Sequence, residues 1–248
     1  MRRIRLTFLF IAVIFLLPAA ASAAWWEMTD RPGSWRAADW SSSGVLADAA
    51  ASDEAGIFVL AARTGGLKGA LSVHSWIVTR KRGADRFDRY DVVAWGTPLR
   101  RNGYPADGRW YSNVPHVVHA VTGAAAEALI PRVEAAIDAY PYAKRGDYRI
   151  WPGPNSNSFV AHVLRAVPEL GASMPPNAVG RDYLPGAVAF DWSPKAGDLR
   201  ASLGGGLLGF AVGARSGLEL NFFGLVAGFD VLRPALKIPG IGRVDLLP

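Results

Sequence analysis

Two short segments hold the residues with the best chemical prospects. One is Val73-His74-Ser75-Trp76-Ile77-Val78, an imidazole set in a run of core-type residues. The other is Trp151-Pro152-Gly153-Pro154-Asn155-Ser156-Asn157-Ser158-Phe159, where hydroxyl and amide side chains crowd a loop-to-helix junction. An imidazole in a buried strand requires a polar partner. At a helix start the first N–H groups are unpaired and the macrodipole is positive, so negative charge developing at a reacting oxygen is stabilised there. Each segment alone has a plainer explanation: a satisfied core histidine in the first, and helix capping by Asn and Ser in the second. Together they supply the parts for acyl transfer, with Ser156 as nucleophile and His74 as base. Such a base needs an orienting group. Asp91, on the strand after His74, is the natural one by chain order, and a surface aspartate ending a hairpin is its rival reading. Asn155, Asn157, Ser158 and Trp76 are the neighbouring candidates for substrate and oxyanion contacts.

Other chemistry has less support. The chain contains no cysteine, which excludes disulfides, thiolate metal sites and a thiol nucleophile. His116 and His119 are three apart, but no third ligand accompanies them, so no metal is expected. His162 falls one turn after Ser158, where solvent or neighbouring structure is its expected contact. Asp107 and Asp182 lie in turn-like sequence and receive no role. Gly204-Gly205-Gly206 follows no strand-to-helix pattern, so no phosphate loop or dinucleotide fingerprint is present and no cofactor is expected.

Positioning Ser156 and His74 takes a sheet and a helix. Gly56 to Arg63, with Ile57, Phe58, Val59 and Leu60, reads as a buried strand, and Thr64-Gly65-Gly66 turns the chain. Leu71 to Thr79 and Arg89 to Trp95 read as two more strands, joined through the charged stretch 80–89, and an antiparallel order is the simplest. Thr122 reads as a helix cap, with Pro131 inside the continuing helix and Val133, Ile137 and Tyr140 on its apolar face. Tyr148 to Trp151 predicts a further short strand. From Ser156 a helix presents Phe159, Val160, Val163, Leu164 and Val167 on one side. The fold class is α+β: an antiparallel sheet with packed helices, occupying residues 56–200. A Trp-rich irregular arm over 24–55 precedes it, its tryptophans (Trp25, Trp26, Trp35, Trp40) packing on the main domain. Residues 201–248 read as a glycine-bearing apolar hairpin turning at Arg215-Ser216-Gly217, with a membrane-facing surface as the alternative.

The amino terminus has the form of a secretory signal over residues 1–23. Arg2, Arg3 and Arg5 precede an apolar stretch from Leu6 to Leu17, then Pro18 and the small residues Ala21-Ser22-Ala23. The expected location is therefore periplasmic or secreted. The rival is an uncleaved inner-membrane anchor over residues 6–24, with the rest of the chain facing the periplasm. The net charge of +6 owes three positive charges to those arginines; the remainder has 24 basic and 21 acidic residues. A balance of +3 without a basic aromatic-interleaved run gives no case for nucleic acid.

Five segments carry a resemblance: Thr64-Gly65, His74-Ser75-Trp76-Ile77-Val78, the Asn155-containing junction through Val160, Asp182-Tyr183-Leu184-Pro185-Gly186, and Arg233-Pro234-Ala235-Leu236-Lys237. In these the chain resembles a family of bacterial exported proteins defined as a domain of unknown function. More distantly, Asn155-Ser156-Asn157-Ser158-Phe159 resembles the Asn-Cys-x-x-Phe segment of permuted NlpC-type and lecithin-retinol-acyltransferase-like proteins, and His74 matches their strand histidine. That likeness implies a permuted papain-like domain acting on amide or ester bonds of cell-wall peptide or lipid. Ser156 stands where those proteins carry cysteine. The rival implication is an envelope protein that keeps the fold and binds peptidoglycan fragments or lipid without cleaving them.

Overall fold

The computed structural model describes residues 1–247. Helix α1 (Arg2–Glu27) is long and apolar enough to cross a membrane. Its first nine residues are exposed, whereas Phe15, Ala19, Ser22 and Trp26 are buried against the rest of the chain. Ser22 donates to the carbonyl of Ala70 at 2.6 Å and the Trp26 indole to that of Gly66 at 2.9 Å. The signal boundary expected at Ala23 thus falls between two residues that tie the helix to the body.

Five strands form the first sheet, in the order β4-β3-β2-β1-β5 and antiparallel throughout. They are β1 (Gly56–Arg63), β2 (Val73–Arg80), β3 (Asp88–Val92), β4 (Leu99–Arg101) and β5 (His116–Thr122). The central pair is buried on both faces, which explains why β1 reads as an unbroken apolar run. Ile57, Val59 and Ala61 of β1, with Val73 and Ile77 of β2, face helices α2 (Gly123–Asp138) and α3 (Ser156–Ala166). Phe58, Leu60, Ala62, Trp76 and Val78 face an aromatic layer in which Trp40 of the arm packs on Trp110 and Tyr104. Trp40 is thus part of the second cover of the sheet, whereas Trp25 and Trp26 belong to helix α1 and not to an irregular arm, and Trp25 and Trp35 are half-exposed. Helix α2 runs through Pro131 unbroken.

His116 and His119 lie on β5, paired to Ala61 and Val59 of β1. A bulge between Val59 and Leu60 shifts the register that separates them. Residues 148–151 form no strand, because two prolines and a glycine follow at once and Asn155 holds the Ile150 carbonyl.

The carboxy-terminal region is a sheet of seven strands, not one hairpin, and it begins at Val188, within the segment expected to be core. It is a simple meander: β6 (Val188–Ser193), β7 (Asp198–Leu203), β8 (Leu208–Gly213), β9 (Gly217–Phe222), β10 (Leu225–Asp230), β11 (Ala235–Ile238) and β12 (Gly242–Asp245). The expected turn at Arg215-Ser216 is present, between β8 and β9. Side chains alternate strictly across this sheet. On β9, Leu218, Leu220 and Phe222 point one way, Glu219 and Asn221 the other. Glu219 and Asn221 are buried, while Leu218 and Leu220 are exposed. The same inversion runs through β6, β8 and β11. Buried Glu219 is compensated by Arg181 and Lys237, and Arg200 bonds Asp182 and Ser216 beside it.

Candidate functional site

Helix α3 starts where its sequence says it should. Asn155 is the N-cap: its Oδ1 accepts from the amides of Asn157 at 2.9 Å and Ser158 at 3.1 Å, and Ser158 Oγ accepts from the Asn155 amide in return. The Phe159 amide donates to the Asn155 carbonyl. Among the described residues, the donor left free in this first turn is the Ser156 N–H. Asn155 Nδ2 meanwhile donates to the carbonyls of Ile150 and Val179. Gly180 makes room for the cap: its φ is +97°, and a Cβ there would collide with the Asn155 side-chain amide.

Asn157 fastens the helix start to the sheet. Its Nδ2 donates to the Val73 carbonyl at 2.9 Å and the Val179 carbonyl at 2.8 Å, and its Oδ1 accepts from Ser75 Oγ at 2.8 Å. Val73 and Ser75 flank His74 in β2, so the clasp sets Ser156 beside the histidine segment. His74 itself projects to the opposite face of the sheet from Ser75, toward the aromatic layer. The two meet at the end of β2, where both line a cleft of about 420 Å³. Among the described residues, no hydrogen bond joins the Ser156 hydroxyl to His74.

The imidazole is stacked on one side and borders a carboxylate on another. Trp110 stacks on it with ring centroids 3.6 Å apart and planes 5° from parallel. Nε2 lies 3.6 Å from Asp91 Oδ2, beyond hydrogen-bonding distance, and this nitrogen is buried without a hydrogen-bond partner among the described residues. Nδ1 is therefore the nitrogen directed to the cleft. Asp91 is fully buried, which removes the reading of it as a surface aspartate. Arg89 donates to its Oδ2 through Nε at 3.1 Å and Nη2 at 2.8 Å, and lies 4.0 Å over the Trp76 ring.

Burial pushes the His74 pKa below its ordinary 6.5, opposed by Asp91 and assisted by the positive charge of Arg89. His74 is accordingly neutral at pH 7. Burial works against a charged Asp91, but His74 and Arg89 outweigh it and hold the carboxyl below its usual range. Arg89 neutralises Asp91, which leaves the aspartate little charge to stabilise an imidazolium.

The cleft walls are largely apolar and aromatic, with Trp95, Trp110, Tyr148, Ile150, Trp151 and Phe223 among them. Burial, with nearby Tyr111, pushes the Tyr148 pKa up to about 12, so it remains a neutral phenol. Trp151 stacks on Phe223 and donates to its carbonyl, joining the α3 junction to the turn between β9 and β10.

Of the residues singled out by sequence, Ser156, His74, Asn155 and Asn157 line this cleft, and Asp91 stands behind His74. Trp76 is a correction: it is wholly buried, its indole bonded to the Ala106 carbonyl, and it supports Arg89 from below without reaching the cleft. The side chains of Asn155, Asn157 and Ser158 are occupied by capping and clasping, with Ser158 Oγ also donating to the Gly180 carbonyl. Arg89 and Trp110 are site residues that sequence reading missed. Arg89 had a signal, since it sits two residues from Asp91 on a strand and so shares its face. Trp110 lay in a loop without periodicity. His162 packs edge-on against Tyr140, and no cluster of metal-ligating groups occurs among the described residues.

Fold and site together define an α+β domain in which a capped helix start meets a strand histidine across an aromatic cleft. The chain belongs to the family described as Protein of unknown function (DUF3750), whose model matches residues 54–183, covering the first sheet, both its helices and all the polar residues of the site. No curated protein and no solved structure matches the chain.

Proposed function

We propose that this protein is a serine acyl hydrolase or acyltransferase of the cell envelope, with a permuted papain-like arrangement of nucleophile and base. Ser156 is the nucleophile, His74 takes its proton through Nδ1, and Asp91 orients the ring through Nε2. The Ser156 amide, free at the helix start, is the oxyanion donor this reading requires. One observation carries the proposal: the Asn157 clasp brings a helix-start serine and a neutral, aspartate-backed histidine into one cleft. A fluorophosphonate probe on the full chain tests it. Labelling at Ser156 that disappears in Ser156→Ala and falls at least about tenfold in His74→Gln is expected. A folded protein that stays unlabelled across pH 6–9 overturns the enzyme reading.

The missing Ser156–His74 hydrogen bond and the apolar walls favour a second reading, a cleft that binds an acyl chain without turnover. Saturable binding of a fluorescent fatty acyl ester, undiminished in Ser156→Ala and with no release of product, selects that reading.

A further inference from the structure

A sheet in water buries its apolar face and exposes its polar one. The seven-stranded sheet does the reverse. On β6, Phe190 is 72% and Trp192 61% exposed, whereas buried Glu219 and Lys237 lie on the inward face, 3% and 6% exposed. Every residue that shares the outward face along β6 to β12 is apolar, as the strand register shows. Seven strands about 4.8 Å apart and roughly 20 Å long present about 600 Å². That equals or exceeds the largest apolar patch of an ordinary soluble monomer.

Helix α1 identifies what covers this face. Phe15 packs on Phe222, a residue of the outward face, at 5.5 Å between ring centroids. The membrane-crossing helix and the apolar sheet face are therefore continuous. The sheet itself cannot span: its strands hold at most six residues, and β6 and β12 leave open edges that hydrocarbon does not tolerate.

We infer that the outward face of the seven-stranded sheet is seated in one leaflet of the bilayer crossed by α1, and that the cleft opens beside this lipid-facing surface. Arg2, Arg3 and Arg5 place the start of α1 on the cytoplasmic side, so the leaflet is the periplasmic one. Leu225 belongs both to the outward face and to the cleft wall, and Phe223 in the adjoining turn lines the cleft next to Phe222. An acyl chain has an apolar path from the leaflet to Ser156. The substrate class is then a lipid acyl ester or amide, a clause that rests on the function proposed above; the seating of the sheet does not depend on it.

The absence of cysteine makes single-site labelling clean. Phe190→Cys, Leu220→Cys and, as an aqueous control, Arg82→Cys are labelled with an environment-sensitive fluorophore in the full chain, reconstituted in phosphatidylethanolamine–phosphatidylglycerol vesicles. The expected result is a blue shift with strong quenching by doxyl lipid at 190 and 220, and iodide quenching alone at 82. Iodide access at 190 and 220 equal to that at 82 overturns the inference. Protection from iodide without doxyl quenching, accompanied by cross-linking between copies, overturns it in favour of a second copy of the chain. An unreactive Ser156 in a chain whose sheet is quenched by doxyl lipid removes the enzyme reading and leaves the seating intact.

Discussion

Asn157→Ala tests the feature that assembles the site. The substitution removes three buried hydrogen bonds, to Ser75, Val73 and Val179. Each is worth about 1 kcal/mol net, and a buried group left without a partner adds about 1–3 kcal/mol. The two carbonyls keep other donors, since Val73 still accepts from Ser72 Oγ and Val179 from Asn155 Nδ2. Ser75 Oγ, wholly buried, is thus the one group orphaned. The expected cost is about 4 kcal/mol, nearer the three bonds plus one orphan than a full desolvation of every partner. Urea unfolding of the full chain in detergent, followed by tryptophan emission, measures it. Adding Ser75→Ala removes the orphan, so the double variant is expected to recover roughly 1–2 kcal/mol of the loss. A cost below about 1 kcal/mol for Asn157→Ala, with an unchanged denaturant slope, would show that the clasp does not hold the helix to β2.

Two further outcomes follow from the same geometry. His74 is held neutral in the fold by burial, with a pKa below its ordinary 6.5, so the unfolded chain binds the proton first as pH falls. Its contribution to stability is complete above about pH 6.5 and is lost below it; the stability of His74→Gln is expected to fall less steeply between pH 6.5 and 4.5, and identical slopes count against a neutral His74. Gly180→Ala forces an L side chain to φ +97° against the Asn155 cap. A loss of about 2–3 kcal/mol is expected by the same urea assay, and an unaltered midpoint would mean that the cap does not depend on this close approach.

The centre of the first sheet is readable because β1 and β2 are buried on both sides, and a doubly buried strand is an apolar run that local pattern detects; the more exposed β4 and β5 carry no such run and do not show. Helix α3 was readable from Asn155 to Ser158, where the capping box is local chemistry. What failed to show is what depends on distant partners. Trp76 reads as an aromatic beside His74, yet strand alternation alone does not say that Arg89 and Trp110 close over that face. Asp91 reads equally as a hairpin aspartate because chain order alone does not show that Arg89 and His74 enclose it. The tail reads as one glycine-bearing hairpin because glycines sit at its turns and within its strands, and alternation alone does not say that the apolar side faces outward, the wrong side for water.

That wrong side is the most informative part of the molecule. Burying Glu219 against Arg181 and Lys237 costs desolvation that the ion pairs do no more than offset. Exposing Phe190, Trp192 and Leu220 to water adds a second cost, about 25 cal/mol for each Å² of apolar area left wet. A chain in water has no reason to accept both, since exchanging the two faces would relieve each. In a bilayer the second cost vanishes, because lipid covers the outward face. The first becomes necessary, because charged side chains on the lipid-facing surface are expelled from hydrocarbon and must turn inward to their partners. One change of solvent thus accounts for the inverted pattern on β6, β8, β9 and β11, for the helix that leans on Phe222, and for an apolar cleft whose wall includes the β9–β10 turn of that same sheet.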